Sequence, residues 1–326
     1  MKKIAVIGTG LSALSLAYHL PTMDITFFEK SWRPGGRVST RRHENYIFDH
    51  GAHYLKEDNG VIGFNDFLYK IGATKTLNGD FCSNIQNQSP IEKKKIIVGR
   101  KGIESIPLEI HKSLRYPTYF SKHVRKIKNK NSEYFLETET EKFGPYDFIF
   151  CCMPFEQAQN LLEEYIDFSS LIIPEFDIIW TVMFALDKRL GSPFQFGYHL
   201  TPNISFVMNQ NFKHDFFNDE CWVVNMRAEW SKENYNIEKY VLEDYVIDQL
   251  KKHFKSDAKS IYKKSHRWKY AYAKKSFKEL QNKEYIDSID HRLYALGDWC
   301  QGPSMKDAWL SGKKLAQHFN ELRTQI

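Results

Sequence analysis

"KIAVIGTGLSALSLAYHLPTMDITFFEK", residues Lys3–Lys30, reads as strand, turn, helix and strand. Ile4–Ile7 is an unbroken apolar run, as expected of a parallel strand buried on both faces. Gly8-x-Gly10-x-x-Ala13 follows at once, and Leu11, Leu14, Leu16, Ala17 and Leu20 give the next segment an apolar helical surface. Pro21 ends that helix, Ile25–Phe28 forms the second strand, and Glu29 closes it. Each residue type has a reason. Gly8 permits a tight turn, Gly10 lets backbone approach a pyrophosphate, and Ala13 keeps the helix close to the sheet. The free N–H groups of the helix start suit phosphate charge, and an acid about twenty residues past the first glycine suits a ribose hydroxyl. A glycine triplet alone also fits an ordinary strand–helix turn. Strand, helix and terminal acid together predict dinucleotide binding.

"SWRPGGRVSTRR" comes next, a second glycine-rich element with Arg33, Gly35, Gly36 and Arg37, followed by "YIFDHGAHYL" with Asp49, His50, Gly51 and His53. At the other end, "YALGDWCQGPSMKDAWLSG" (Tyr294–Gly312) runs a short strand into Gly297-Asp298 and opens a fresh helix after Pro303. These elements resemble FAD-dependent oxidoreductases of the amine-oxidase and glutathione-reductase-like superfamily. Within it, "RPGGRVSTRR", "FDHGAHYL", "HRWKYAYA" and "LGDWCQGPSMKDAWLSGKKLA" are most similar to renalase and its bacterial relatives.

The resemblance implies an α/β fold: a Rossmann-like FAD-binding domain interleaved with an antiparallel-sheet α+β substrate domain. Residues 1–75, 96–158 and 286–326 would hold FAD, and 76–95 and 159–285 the substrate. It places the cofactor on Gly8, Gly10, Leu11, Ser12 and Ala13, with Glu29 and Lys30 beyond them. Arg33, Gly36 and Arg37 approach the phosphates, Val124 brackets the adenine, and His50, Gly51 and Ala52 are further cofactor contacts. Gly297 and Asp298 meet the ribityl chain. The terminal helix turns its N-terminus, with Ser304, Met305 and Lys306, toward the flavin, where it favours the negative charge of the reduced ring. The FAD is expected to be non-covalent.

The implied activity is an oxidase taking hydride from a dihydronicotinamide dinucleotide and passing the electrons to molecular oxygen. Such a donor needs alignment and no obligatory base. In "HRWKYAY", a strand puts His266, Trp268 and Tyr270 on one face and Arg267 on the other, and the first face is expected over the flavin. Trp299, after the Gly-Asp turn, is expected as a cage aromatic. Asn225 and Arg227 are weaker candidates, while Trp180 and Trp222 fit a packed core. A flavin amine oxidase or desaturase on the same fold is the alternative. A flavin-binding scaffold or redox sensor without turnover is a reading of another class.

From Asp177 to Ala273 the pattern is rich in strands, "IIWTVMFAL", "ISFVMNQ", "CWVVNMRAEW" and "KSIYKKSHRWKYAYA", interrupted by one helix, Ile237–Phe254. The totals, 326 residues with 42% of them hydrophobic, suit two domains or one domain with a large insertion, with enough apolar residues for a sizeable core. The net charge of +6 is spread out, which argues against a nucleic-acid footprint. No run approaches a membrane span, so no membrane partner is expected. Five cysteines without a CxxC pair read as reduced thiols in a cytoplasmic protein, with no zinc site.

Overall fold

The computed structural model describes residues 2–57, 61–214 and 219–324. Its first sheet has the strand order Ile286–Asp287, Leu293–Leu296, Phe148–Cys152, Lys3–Ile7, Asp24–Phe28 and Thr118–Tyr119. All neighbours are parallel except the first pair. Ile4 stands between Ile25 and Phe148, and Ile4–Val6 are fully buried, as a two-sided parallel strand requires. Helix Leu11–Tyr18 packs against the terminal helix Met305–Thr324. Gly312 makes that close approach possible, since a side chain there would strike the Ser12 carbonyl. The Ser15 hydroxyl donates to the Trp309 carbonyl at 2.5 Å across the same contact.

The second sheet has eight strands in the order Ser260–Ala273, Phe176–Leu186, Glu220–Met226, Ile204–Asn209, Phe196–Tyr198, Thr74–Cys82, Ile91–Gly99 and Leu55–Lys56. It is antiparallel except where Phe196–Tyr198 runs parallel to Thr74–Cys82. Helix Lys239–Phe254 covers one face and buries Leu242, Val246, Ile247 and Leu250 in a core with Trp180 and Trp222. A meander of Lys126–Lys130, Glu133–Glu137 and Lys142–Tyr146 and a hairpin of Thr40–His43 and Tyr46–Asp49 complete the sheets. The fold is thus mixed α/β, with a Rossmann-like half and a large, mainly antiparallel second sheet.

One element departs from expectation. The end of "CWVVNMRAEW" is not strand: Ala228–Glu233 is a second helix in this region. Its Glu229 lies in the first turn and Lys232 in the last, complementing the helix dipole. Ser231 docks it by accepting the Trp180 N–H at 3.1 Å. No helix among the described residues is long and apolar enough to cross a membrane.

Candidate active site

The carboxyl ends of four parallel strands, at Gly8, Glu29, Met153 and Gly297, open into one cleft of about 1300 Å³. Ligands of open α/β sheets bind at such ends. The strand Ser260–Ala273 forms the far wall. The volume exceeds the usual 300–1,000 Å³ of a small-ligand pocket, leaving room for an extended cofactor and a substrate.

The dinucleotide end is built from the first loop. Gly10 begins the helix, and no side chain caps it, so the free N–H groups of its first turn border the cleft. A Cβ at Gly10 would meet no heavy atom within 4 Å. Glu29 is buried. One oxygen accepts from the Thr9 N–H and hydroxyl at 3.0 and 2.6 Å, and the other accepts from the Ser31 N–H at 2.8 Å. These contacts hold the acid at the strand end with acceptor capacity left. The second glycine loop lies on the first through Gly35 N–H to Thr9 C=O, 3.1 Å. An uncapped helix start, a bare glycine and a fixed acid fit a dinucleotide diphosphate with its ribose. FAD bound here would lie on Gly8–Ser12 and Glu29, and Lys30, Gly36, Val124, Gly51 and Ala52 line the same cleft.

Several expected residues have other duties. The Arg33 guanidinium is engaged by Glu104 and by the Thr40 carbonyl, and Arg37 bridges Asp298 (2.5 Å) and the Tyr270 and Ala271 carbonyls (3.1 and 2.9 Å). Both arginines border the cleft, yet their charges are already partnered. Ser304 and Met305 border it too, while Ala13 is buried behind the loop and Lys306 lies off the wall. At that helix start, Ser304 and Asp307 cap one another reciprocally. Trp299 requires correction. It is fully buried, donates from Nε1 to the Met153 carbonyl at 3.0 Å, and packs edge-on against Phe155 and Phe277. The short 3₁₀ turn Asp298–Cys300 rotates the indole into the core, and it packs tightly on Gly297.

The opposite end gathers His50, His53, Thr181, Asn225, His266, Trp268 and Tyr270 on the wall. Arg267 points away and lies over Tyr235, as strand alternation demands. His266 and Trp268 stand 4.3 Å apart edge-to-face, His50 is 5.3 Å from each, and Trp268 Nε1 donates to the His50 carbonyl at 2.9 Å. Thr181 donates to Asn225 Oδ1, the Asn225 amide donates to His53 Nε2, and His53 Nδ1–H donates to the Asp49 carbonyl, all within 2.9–3.0 Å. That chain assigns the His53 tautomer. Sequence reasoning gave Asn225 little weight and missed Thr181. Thr181 is invisible inside the apolar run "IIWTVMFAL" until its facing strand is known.

The imidazoles are neutral at ordinary pH. Burial first, then His266 and Arg41, lower His50 to about 3. Burial and then Lys213 lower His53 to about 4, and burial with Arg41 and Lys239 lowers His266 to about 4. The unfolded chain therefore binds more protons than the folded one between about pH 4 and 6.5, so stability is lost as pH falls through that window. His53 contributes on the order of 2–3 kcal/mol. Melting of the FAD-loaded protein from pH 7.5 to 4.5 should show a steep acid-side fall, made shallower by His53→Gln. An unchanged slope would place His53 in contact with solvent.

Fold and site together define an FAD-dependent oxidoreductase. The comparisons name the family. The chain belongs to the flavin containing amine oxidoreductases, whose profile matches residues 71–319, and an NAD(P)-binding Rossmann-like profile matches residues 6–64. Coproporphyrinogen III oxidase of Staphylococcus aureus is 31% identical over 115 residues, 33% of this chain and 23% of that protein. L-amino-acid oxidase of Daboia russelii is 31% identical over 148 residues, 41% of this chain and 29% of that protein. These matches span less than a third of either relative's length. Among solved structures, putrescine oxidase bound to putrescine superposes with a TM-score of 0.74 at 10% identity, covering 98% of this chain and 99% of that one. An oxidoreductase from Methanosarcina mazei gives 0.71 at 13%, covering 97% and 100%. At such identities the likeness concerns the fold.

Proposed function

We propose that this enzyme is a renalase-like oxidase. In this reading it removes hydride from a dihydronicotinamide dinucleotide of the NAD(P)H-isomer type, with molecular oxygen as final oxidant and hydrogen peroxide as product. Residues 1–75, 96–158 and 286–326 serve the cofactor, and 76–95 and 159–285 the substrate. FAD, held non-covalently, supplies the hydride acceptor.

The observation that carries the reading is the chemistry of the far wall. The cleft's carboxylates among the described residues, Glu29 and Asp298, stand away from that wall, at the ends of the parallel strands, and are engaged by Thr9, Ser31 and Arg37. What remains around the substrate space is aromatic and polar: His50, His266 and Trp268 with the Thr181–Asn225–His53 chain. This lining suits a flat ring with a polar carboxamide edge better than an aliphatic amine. Trp268 confines the ring, His266 meets its polar edge, and no proton need be taken from a dihydropyridine donor. Amine oxidation is the second reading. Family membership favours it, as do the neutral imidazoles, which can accept a substrate proton.

Anaerobic mixing of the FAD-loaded enzyme with borohydride-derived dihydro-NAD isomers, and separately with simple amines, decides between them. Rapid bleaching by a dihydropyridine is expected. Trp268→Ala and His266→Ala should slow it about a hundredfold through lost alignment, with FAD content intact. Wild-type rates in both variants would make that strand a packing element. Bleaching by amines alone would select the second reading.

A further inference from the structure

Arg41 faces the cleft from the hairpin that precedes His50. It sits on the hairpin strand Thr40–His43, where Thr40 and Arg42 face inward to Asp49 and Glu104. Arg41 takes the other face and lines the cleft. Among the described residues it makes no hydrogen bond or ion pair, and its Nε is buried without an acceptor. His50 is 5% exposed and lines the same cleft. Buried donors in folded proteins are almost always satisfied, so an orphaned guanidinium nitrogen in a cleft marks a place for a ligand. Lys239 opens the helix Lys239–Phe254 on the other side of His266, within reach of its ring electrostatically, and has no ion pair among the described residues. A second hollow of about 700 Å³ continues there, sharing His266 as a wall and lined also by Glu238, Glu243, Lys263, Lys264 and Arg267. Lys263 is paired with Asp244, Arg267 is bound by the Tyr235 carbonyl, and Glu243 accepts from Ser265. Lys264 and the carboxylate of Glu238, next to Lys239 in sequence, line this hollow without an ion pair among the described residues, so on the cleft side of the wall Arg41 is an uncompensated cation.

We propose that Arg41, backed by His50, is a phosphate subsite that holds the diphosphate of the dinucleotide substrate beside the Trp268 wall. This rests on the dinucleotide reading above and adds the half of the substrate distant from its ring. Guanidinium suits phosphate because its planar donors meet two oxygens at once. The neighbouring imidazoles, held neutral, add donors and no rival charge.

The test is calorimetric titration of the FAD-loaded protein with ADP-ribose, which has the diphosphate and lacks the nicotinamide, and with inorganic pyrophosphate and benzoate in separate arms. ADP-ribose should bind wild type, and more weakly as salt rises. Arg41→Leu should weaken it about ten- to a hundredfold, Lys239→Leu, across the wall, should leave it within about twofold, and Arg41→Lys should keep most of the affinity, all with unchanged melting and flavin content. No binding to wild type, or equal binding to Arg41→Leu, overturns the subsite. Arg41-dependent binding of benzoate without ADP-ribose or pyrophosphate also overturns it, in favour of a carboxylate. If Arg41-dependent ADP-ribose binding holds while no dihydro-NAD isomer bleaches the flavin, the subsite stands and the proposed reaction falls.

Discussion

Replacing Gly10 with valine is expected to give a folded, colourless protein. Gly10 has φ −73° and ψ 175°, an extended conformation that valine adopts readily, and a Cβ there would touch no protein atom within 4 Å. The fold therefore loses little. The added methyl groups project into the cleft at the uncapped start of the helix Leu11–Tyr18, where the cofactor's diphosphate must lie against backbone. Loss of that approach should weaken FAD by about a hundredfold or more, roughly 3 kcal/mol. The variant should show native circular dichroism, a native-like melt of the apoprotein, and no stoichiometric flavin absorbance after reconstitution. Gly8 makes the contrast. Its φ of +101° disfavours any side chain, and a Cβ would collide with the Cys152 carbonyl, so Gly8→Val should damage the fold itself. A yellow Gly10→Val protein with full FAD content would move the diphosphate away from this loop.

The two glycine positions show what a sequence can carry. The first strand, turn, helix and acid are contiguous, so every requirement of the dinucleotide end lies within thirty residues and is legible by pattern. The terminal Gly-Asp turn is equally local. Pattern fails where the deciding contact is remote. Trp299 follows the turn as a cage aromatic would, but its indole is claimed by Phe155 and Phe277, residues whose proximity no local pattern reveals. "RAEW" continues a strand by composition, yet becomes a helix because Ser231 can dock on Trp180. Arg41 sits in a run of basic residues, "TRRH", and only strand pairing separates it from Arg42, which Glu104 takes. Alternation from Ser265 to Trp268 needs only the period of a strand, but the irregularity between Trp268 and Tyr272, where Lys269, Tyr270, Ala271 and Tyr272 all border the cleft, breaks the expected single face for Tyr270. What that face opposes, Thr181 and Asn225 included, was not legible.

The least legible feature has the largest structural effect. Lys213 reaches Asp49 across 164 positions, Nζ to Oδ2 at 2.5 Å, and both side chains are fully buried. Lys213 also donates to the His53 carbonyl at 3.1 Å. The other Asp49 oxygen accepts from the Thr40 hydroxyl and the Ile103 N–H at 2.7 and 2.8 Å. Burial alone would raise the Asp49 carboxyl, but Lys213, His214 and the Ile103 N–H outweigh it and hold it below the ordinary range, so the aspartate stays ionised. Lys213→Met leaves that charge buried without its cation, a loss of about 3–5 kcal/mol. Pairing it with Asp49→Asn removes the charge while keeping an acceptor for Thr40 and Ile103, so the double variant should be more stable than the single one. Urea unfolding of both proteins reads the difference, and a single variant as stable as wild type would show that the pair carries no such energy. The consequence reaches the cleft. Asp49 directly precedes His50, and its carbonyl orients the His53 ring. In the single variant the surviving folded protein should therefore retain FAD yet be bleached more slowly, because the ion pair behind the wall is what holds His50 and His53 in register.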